Sequence, residues 1–261
     1  MLVQITNTCG MECPHCLQNS LPEPMHMSME TVDKVIEFIK KTPATTVLIS
    51  GGEPTMHPQF EAIVKRFIFA KFTNITIVSN GCWITNKDKV KMMKKLLSHK
   101  NVSLQVTSTK EYYKNYKTIC ANRDKLLNLT PFGEKKVSIH QGKIYIHQLG
   151  RASEGFEAEA NSHIFTTSCM MMATTMYQLP FNEAILNMEY RSHFCTPLID
   201  WRGGIHLSES WLCPKVDTLD TFDRFTEVLK WKPCGKCRDY QKLLDNNTYT
   251  YVKIKEMMGI Q

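Results

Sequence analysis

Apolar positions along the first half of the chain alternate between two periods. In "SMETVDKVIEFIKK", Val32, Val35, Ile36 and Ile39 fall at i, i+3, i+4 and i+7 behind Ser28, a suitable N-cap, and so predict an amphipathic helix. "FEAIVKRF" repeats that spacing with Phe60, Ile63, Val64 and Phe67, and "KVKMMKKLL" predicts a third helix. Between these helices lie short β-branched runs: "LVQIT" at the front, "TTVLIS" before Gly51-Gly52, "ITIVS", and "VSLQVT". Strands that alternate with helices predict parallel βαβ units in an α/β fold, with the site on loops at the strand C-termini.

From about residue 130 the pattern changes. "KVSIHQGKIYIH" alternates around Gln141-Gly142 as two strands with a tight turn would, and "LIDWRGGIHLS" predicts a hairpin around Gly203-Gly204. "TFDRFTEVLKW" and the remainder suggest short helices around cysteines. The change of period near residue 190 is the best place for a boundary, dividing the chain into residues 1–190 and 191–261.

Bulk properties narrow the class. A chain of 261 residues can bury roughly 70–75% of its unfolded surface, so the core needs no disulfide staples. No apolar run approaches the ~18 residues of a membrane span, and the N-terminus lacks the basic and apolar regions of a signal peptide, so a cytoplasmic protein with no membrane partner is expected. In a reducing compartment the ten cysteines are better explained as metal ligands or reactive thiols than as disulfides. Cys82 and Cys120 stand alone and are expected to be small core residues. The net charge of +7 is modest, and the lysines of "KDKVKMMKKLL" fit the solvated face of a helix. Without a basic stripe interleaved with stacking aromatics, nucleic-acid binding is the weaker reading; an anionic substrate suits the sign equally well.

Three cysteines lie in "CGMECPHC": Cys9, Cys13 and Cys16, directly after the first strand. Thiolates suit zinc and iron–sulfur clusters alike. A structural zinc site normally closes its tetrahedron with a fourth ligand. His15 lies awkwardly between two of the cysteines, and His26 could serve in principle. Three ligands on a four-iron cluster would leave one iron open to bind something else. Spacing alone leaves zinc and cluster both standing.

The C-x3-C-x2-C run after the first strand resembles the radical S-adenosylmethionine (SAM) superfamily. "SGGEPT", Ser50 to Thr55, strengthens the resemblance, because that family carries a Gly-Gly-Glu-Pro segment at the end of the second strand. The resemblance implies a partial (β/α)6 TIM-like barrel. It implies that Cys9, Cys13 and Cys16 ligate a [4Fe–4S] cluster whose fourth iron chelates SAM, and that one electron cleaves SAM to a 5′-deoxyadenosyl radical. Gly51, Gly52, Glu53 and Pro54 would hold the methionine end, the glycines allowing close backbone approach and Glu53 receiving an ammonium. Ser79 and Asn80 match positions near the adenosine, and Thr107 matches a hydroxyl that meets the ribose, although Thr109 stands where the family commonly has an acid. His15 takes the place of an aromatic residue that packs on adenine. A small reductant such as flavodoxin or ferredoxin is the implied electron donor.

Cys195, Cys213, Cys234 and Cys237, with "CGKC" closing the group, resemble the twitch form of the SPASM domain. "LGRASE", Leu149 to Glu154, supports that resemblance, and the layout is similar to the butirosin-pathway type of dehydrogenase. It implies a small C-terminal hairpin and helix domain holding a second, auxiliary [4Fe–4S] cluster. The same four thiolates would also satisfy zinc.

Arg151, at the rim, can fork onto a carboxylate or phosphate. Cys169, in "TTSCMMMATTM", is either a small hydrophobe in a methionine-rich core or a thiol that returns a hydrogen atom to a substrate radical. His140, His147 and His206 lie on predicted strands and are expected to be hydrogen-bonded structural residues. Three functions follow. The first is an oxidoreductase that abstracts hydrogen from a small molecule or peptide and passes the second electron through the auxiliary cluster. The second is a peptide-modifying enzyme forming a thioether, a carbon–carbon link or a D-residue. Such enzymes often carry an N-terminal peptide-recognition domain, and a first strand at residue 2 lowers this expectation without excluding a separate recognition protein. The third, a zinc-dependent nucleic-acid-binding protein, leaves "SGGEPT" unexplained.

Overall fold

A computed structural model of the chain describes residues 1–41, 44–142, 144–147, 151–152, 162–165, 198–206 and 215–219. The predicted alternation is present. β1 (Leu2–Gln4) leads through the cysteine loop into α1 (Met29–Lys40), followed by β2 (Thr46–Ser50) and α2 (Phe60–Phe69). Then come β3 (Asn74–Ser79), α3 (Lys87–Leu97), β4 (Val102–Thr107), and the short helices α4 (Tyr116–Ala121) and α5 (Arg123–Leu127). The remaining strands are β5 (Val137–His140), β6 (Ile144–His147), β7 (Ser162–Phe165), β8 (Leu198–Ile199), β9 (Gly204–His206) and β10 (Lys215–Thr218).

The caps follow local chemistry. Ser28 Oγ accepts from Thr31 N–H at 3.1 Å and starts α1, while Asn86 Oδ1 accepts from Lys89 N–H at 3.0 Å and starts α3. Lys87, Lys91, Lys94 and Lys95 of α3 are exposed, as a solvated face requires.

The main sheet runs β10-β9-β8-β1-β2-β3-β4-β5. β8 and β1 to β5 are mutually parallel, while β9 and β10 are antiparallel to their neighbours. Strands taken in chain order with right-handed crossovers send successive helices to one face. The side chains record this. Val3, Ile5, Val47, Ile49, Ile75, Ile77, Val102, Leu104 and Val106 join the core with the apolar stripes of α1, α2 and α3. Each such burial contributes roughly 1.5–3 kcal/mol. The alternate positions are largely polar, with Gln4, Ser50, Thr76, Ser103, Gln105 and Thr107 on the opposite face.

Two expectations change. β5 and β6 do not form a hairpin: β5 pairs in parallel with β4, from Val137↔Leu104 to His140↔Thr107, and β6 pairs in parallel with β7. A two-residue hairpin turn needs a left-handed residue, and Gly142 is not left-handed, whereas pairing with β4 carries Val137 into the core. Gly203, with φ of 80°, does turn the β8–β9 hairpin as predicted. Cys82 and Cys120 are surface residues, not core, because Trp83 and Ile84 beside one and Ile119 beside the other take the inward positions. Residues 198–206 and 215–219, beyond the expected boundary at 190, extend the main sheet from β1. Cys169, Cys195, Cys213, Cys234 and Cys237 lie outside the described residues. Among the described residues no helix is long and apolar enough to cross a membrane.

Candidate functional site

The cysteine loop begins where β1 runs out of partners. Ile5 N–H still donates to Ser50 O at 2.9 Å, after which the chain folds back on itself. Thr6 Oγ1 donates to Met25 O at 2.7 Å, and Thr8 Oγ1 donates to Glu23 O while accepting from Met25 N–H, both at 2.8 Å. These bonds close the base of a loop whose arc carries Cys9, Cys13 and Cys16. Arg151 straps the arc from outside, its N–H donating to Cys16 O at 3.0 Å and its guanidinium to Ser20 O at 2.7 Å.

The three thiols line one cavity of about 260 Å³, together with His15, Tyr113 and Arg151. Cys9 and Cys13 are buried, and burial pushes both thiols up, Cys13 to about 12. Burial acts the same way on Cys16, but the Ser20 N–H, the Arg151 side chain and the Gln18 N–H outweigh it and draw that thiol down. His15 is pushed down to about 4, first by burial and then by the Arg151 charge, so its ring is neutral at pH 7. The ring packs against Tyr112 and Tyr113, with centroids at 4.7 and 5.5 Å.

Two observations test whether a cluster and a polar ligand would fit. First, Cys9, Cys13 and Cys16 are soft donors that share one cavity, which suits a cluster in which each thiolate takes its own iron. Second, His15 Nδ1 and Arg151 Nε are buried at this cavity without partners, as polar atoms that face a ligand would be. His26, the alternative fourth ligand, does not line the cavity, and its Nδ1 is engaged by Thr6 Oγ1 at 2.8 Å.

Ser50, Gly51 and Gly52 of "SGGEPT" form another wall of the cavity, and the glycines answer a packing demand within the protein. A Cβ on Gly51 would lie 2.5 Å from Thr6 O, and one on Gly52 would lie 2.6 Å from Thr8 O and 2.8 Å from Cys9 Cβ. Their absence lets Gly52 N–H reach Thr6 O at 2.8 Å and Glu53 N–H reach Thr8 O at 2.9 Å. Both glycines also line the cavity. Glu53, expected to receive an ammonium, is instead fully buried behind that wall. Burial raises its pKa, and its carboxylate accepts from Thr55 N–H and Oγ1 at 3.1 and 2.6 Å, from Ser79 Oγ at 2.9 Å, and from Asn80 N–H at 2.8 Å. Pro54 opens the short turn that presents Thr55.

Ser79, Asn80 and Thr107 all reach the cavity from the ends of β3 and β4. Ser79 Oγ is occupied, donating to Glu53 and accepting from Trp83 Nε1 and Gly81 N–H at 2.9 Å each. Thr109 is buried with its hydroxyl unpartnered. Sequence reasoning did not single out Tyr113, Trp83 or Asn115; the doublet Tyr112-Tyr113 just beyond β4 was the available signal. His206 is a structural residue as expected, its Nε2 lying 2.9 Å from Asp200 Oδ2.

Comparison with known proteins agrees with this geometry. Residues 3–128 match the family model of the radical SAM superfamily. The antilisterial bacteriocin subtilosin biosynthesis protein AlbA of Bacillus subtilis is 27% identical over 92 residues, which are 35% of this chain and 20% of that protein. Mycofactocin maturase MftC of Mycobacterium tuberculosis is 30% identical over 83 residues, or 31% of this chain and 21% of that one. The chain thus spans only about a fifth of the length of these curated relatives. Native anSMEcpe with bound AdoMet and Kp18Cys peptide has the same fold, with a TM-score of 0.54 at 11% identity, covering 93% of this chain and 82% of that one. Residues 3–128, which carry the three cysteines and "SGGEPT", are thus similar to the radical SAM superfamily.

Proposed function

We propose that the chain is a radical SAM enzyme that uses the cavity of Cys9, Cys13 and Cys16 to start hydrogen abstraction from a peptide substrate. The observation that carries the reading is one cavity lined by three loop thiols and the Gly51–Gly52 backbone. The family implies a [4Fe–4S] cluster and SAM, and when bound they supply a 5′-deoxyadenosyl radical by one-electron cleavage of SAM. In this reading the three thiolates hold the cluster. The backbone of Gly51 and Gly52 borders the SAM methionine, and Thr107 and His15 border its nucleoside. Arg151 and His15 offer their unpartnered nitrogens to polar groups of the ligand. The sheet is read as part of a partial (β/α)6 barrel.

Relatives named for subtilosin biosynthesis, mycofactocin maturation and, in YydG of Bacillus subtilis, putative peptide biosynthesis support a peptide substrate. Relatives named GTP 3′,8-cyclase keep a small-molecule substrate as the second reading. Cys195, Cys213, Cys234 and Cys237 are proposed to hold an auxiliary cluster that carries the second electron, with flavodoxin or ferredoxin as reductant.

Anaerobic reconstitution followed by iron counting and product analysis tests this. About eight irons per chain, at four per cluster, with SAM-dependent 5′-deoxyadenosine, supports two clusters, and about four supports the loop cluster alone. Tightly held zinc without that product would refute both. Mass loss or linkage in a peptide encoded beside the gene supports the peptide reading; turnover of a small molecule alone overturns it.

A further inference from the structure

Asn80, at the end of β3, has all its polar groups engaged. Its N–H donates to Glu53 Oε2 at 2.8 Å, and its carbonyl accepts from Asn115 Nδ2 at 2.8 Å. Its Oδ1 accepts from Cys82 N–H at 2.9 Å, closing an Asx-type turn that fixes the side-chain rotamer. The remaining donor, Nδ2, is thereby directed at Cys9 Sγ, 3.7 Å away. Cys9 Sγ also accepts from Met11 N–H at 3.4 Å. The Met11 donor belongs to the cysteine loop itself, whereas Asn80 reaches across from the sheet.

Hydrogen bonds to ligand sulfurs draw charge from the thiolate and stabilise the reduced, more negative state of a cluster. The Glu53 carboxylate, buried beside Cys9, acts in the opposite sense. Asn80 contacts both, accepting its position from one and donating to the other.

We infer that Asn80 is a positioning residue for the loop cluster: held on Glu53 and on the turn after β3, its side-chain amide sets the charge on Cys9 and so raises the reduction potential of the bound group. This rests on the reading that Cys9, Cys13 and Cys16 hold a cluster. It differs from an adenosine contact, because it acts before SAM arrives.

The test is an EPR-monitored redox titration of the reconstituted full chain without SAM, following the signal that changes when SAM is later added. Asn80→Ser keeps an oxygen for Cys82 N–H but cannot reach Cys9. It should shift the reduced-to-oxidised ratio at fixed poise about three- to tenfold toward oxidised, a midpoint about 30–60 mV more negative at about 59 mV per tenfold. Asn80→Asp keeps the size and turn acceptor but removes the donor, and should shift the midpoint further in the same direction. An unchanged midpoint in a variant with full iron content overturns the inference and leaves the cluster reading intact. Weaker SAM binding with an unchanged midpoint also overturns it and makes Asn80 an adenosine contact. Failure of the unaltered chain to take up iron would overturn the underlying reading instead.

Discussion

A single methyl group at Gly52 tests how the two motifs depend on each other. An alanine Cβ there would lie 2.6 Å from Thr8 O and 2.8 Å from both Thr8 C and Cys9 Cβ. These atoms are backbone or Cβ, so no rotamer change relieves the clash. The end of β2 must move away from the loop, stretching Gly52 N–H→Thr6 O and Glu53 N–H→Thr8 O. Overpacking of this kind costs about 1–3 kcal/mol. Weakening two hydrogen bonds adds about 0.5–1.5 kcal/mol each. The sum, about 2–6 kcal/mol, is a large part of a typical stability of about 5–15 kcal/mol. Gly52→Ala should therefore lower the urea midpoint of the metal-free protein. It should also reduce iron uptake, because Cys9 shifts while Cys16 stays held by Arg151 and Ser20. Gly10→Ala is the matched control, since a Cβ there meets nothing within 4 Å. It should remain within about 0.5 kcal/mol of the unaltered chain and load normally. If both variants unfold at the same midpoint and bind equal iron, the close approach of the two motifs is not what organises the site.

Further expectations concern other anchors. Cys13→Ala should abolish SAM-dependent 5′-deoxyadenosine formation and the loop-cluster EPR signal; retention of both would remove Cys13 from the ligand set. Asp200→Ala should cost about 3 kcal/mol, because it leaves His206 and the N–H groups of Arg202 and Gly204 without their shared acceptor; urea unfolding against Arg202→Ala checks this. His57 is held neutral chiefly by burial, with Nε2 2.9 Å from Met27 O and Nδ1 accepting from Gln59 N–H at 3.0 Å. Its folded pKa lies below the ordinary 6.5, so the unfolded chain takes up the proton first. Stability should be full above about pH 6.5 and fall as pH drops below it, and His57→Gln should flatten that slope between pH 7.5 and 5.5 in urea titrations.

Helices and strands through β4 were legible because their information is local. Ser28 caps α1, and Phe60, Ile63, Val64 and Phe67 all turn to one side of α2 whatever the rest of the chain does. The loop cysteines and Gly51-Gly52 were legible for a related reason, since short spacing confines residues to one loop. The partner of β5 was not legible: "KVSIHQGKIYIH" alternates identically whether it pairs with itself or with β4. Only the available edge of β4 and the core position for Val137 decide between them.

The site divides in the same way. Sequence alone determined which thiols share a loop, that a glycine pair ends the second strand, and that helices and parallel strands alternate. Tertiary structure decided that the glycines make room for Thr6 and Thr8, that Glu53 faces Ser79 and Asn80, and that Asn80 reaches Cys9 from 71 residues away. The physical reason is range. Periodicity and spacing act within a few residues, whereas a hydrogen bond between β3 and the cysteine loop exists only after parallel pairing has aligned the strand ends.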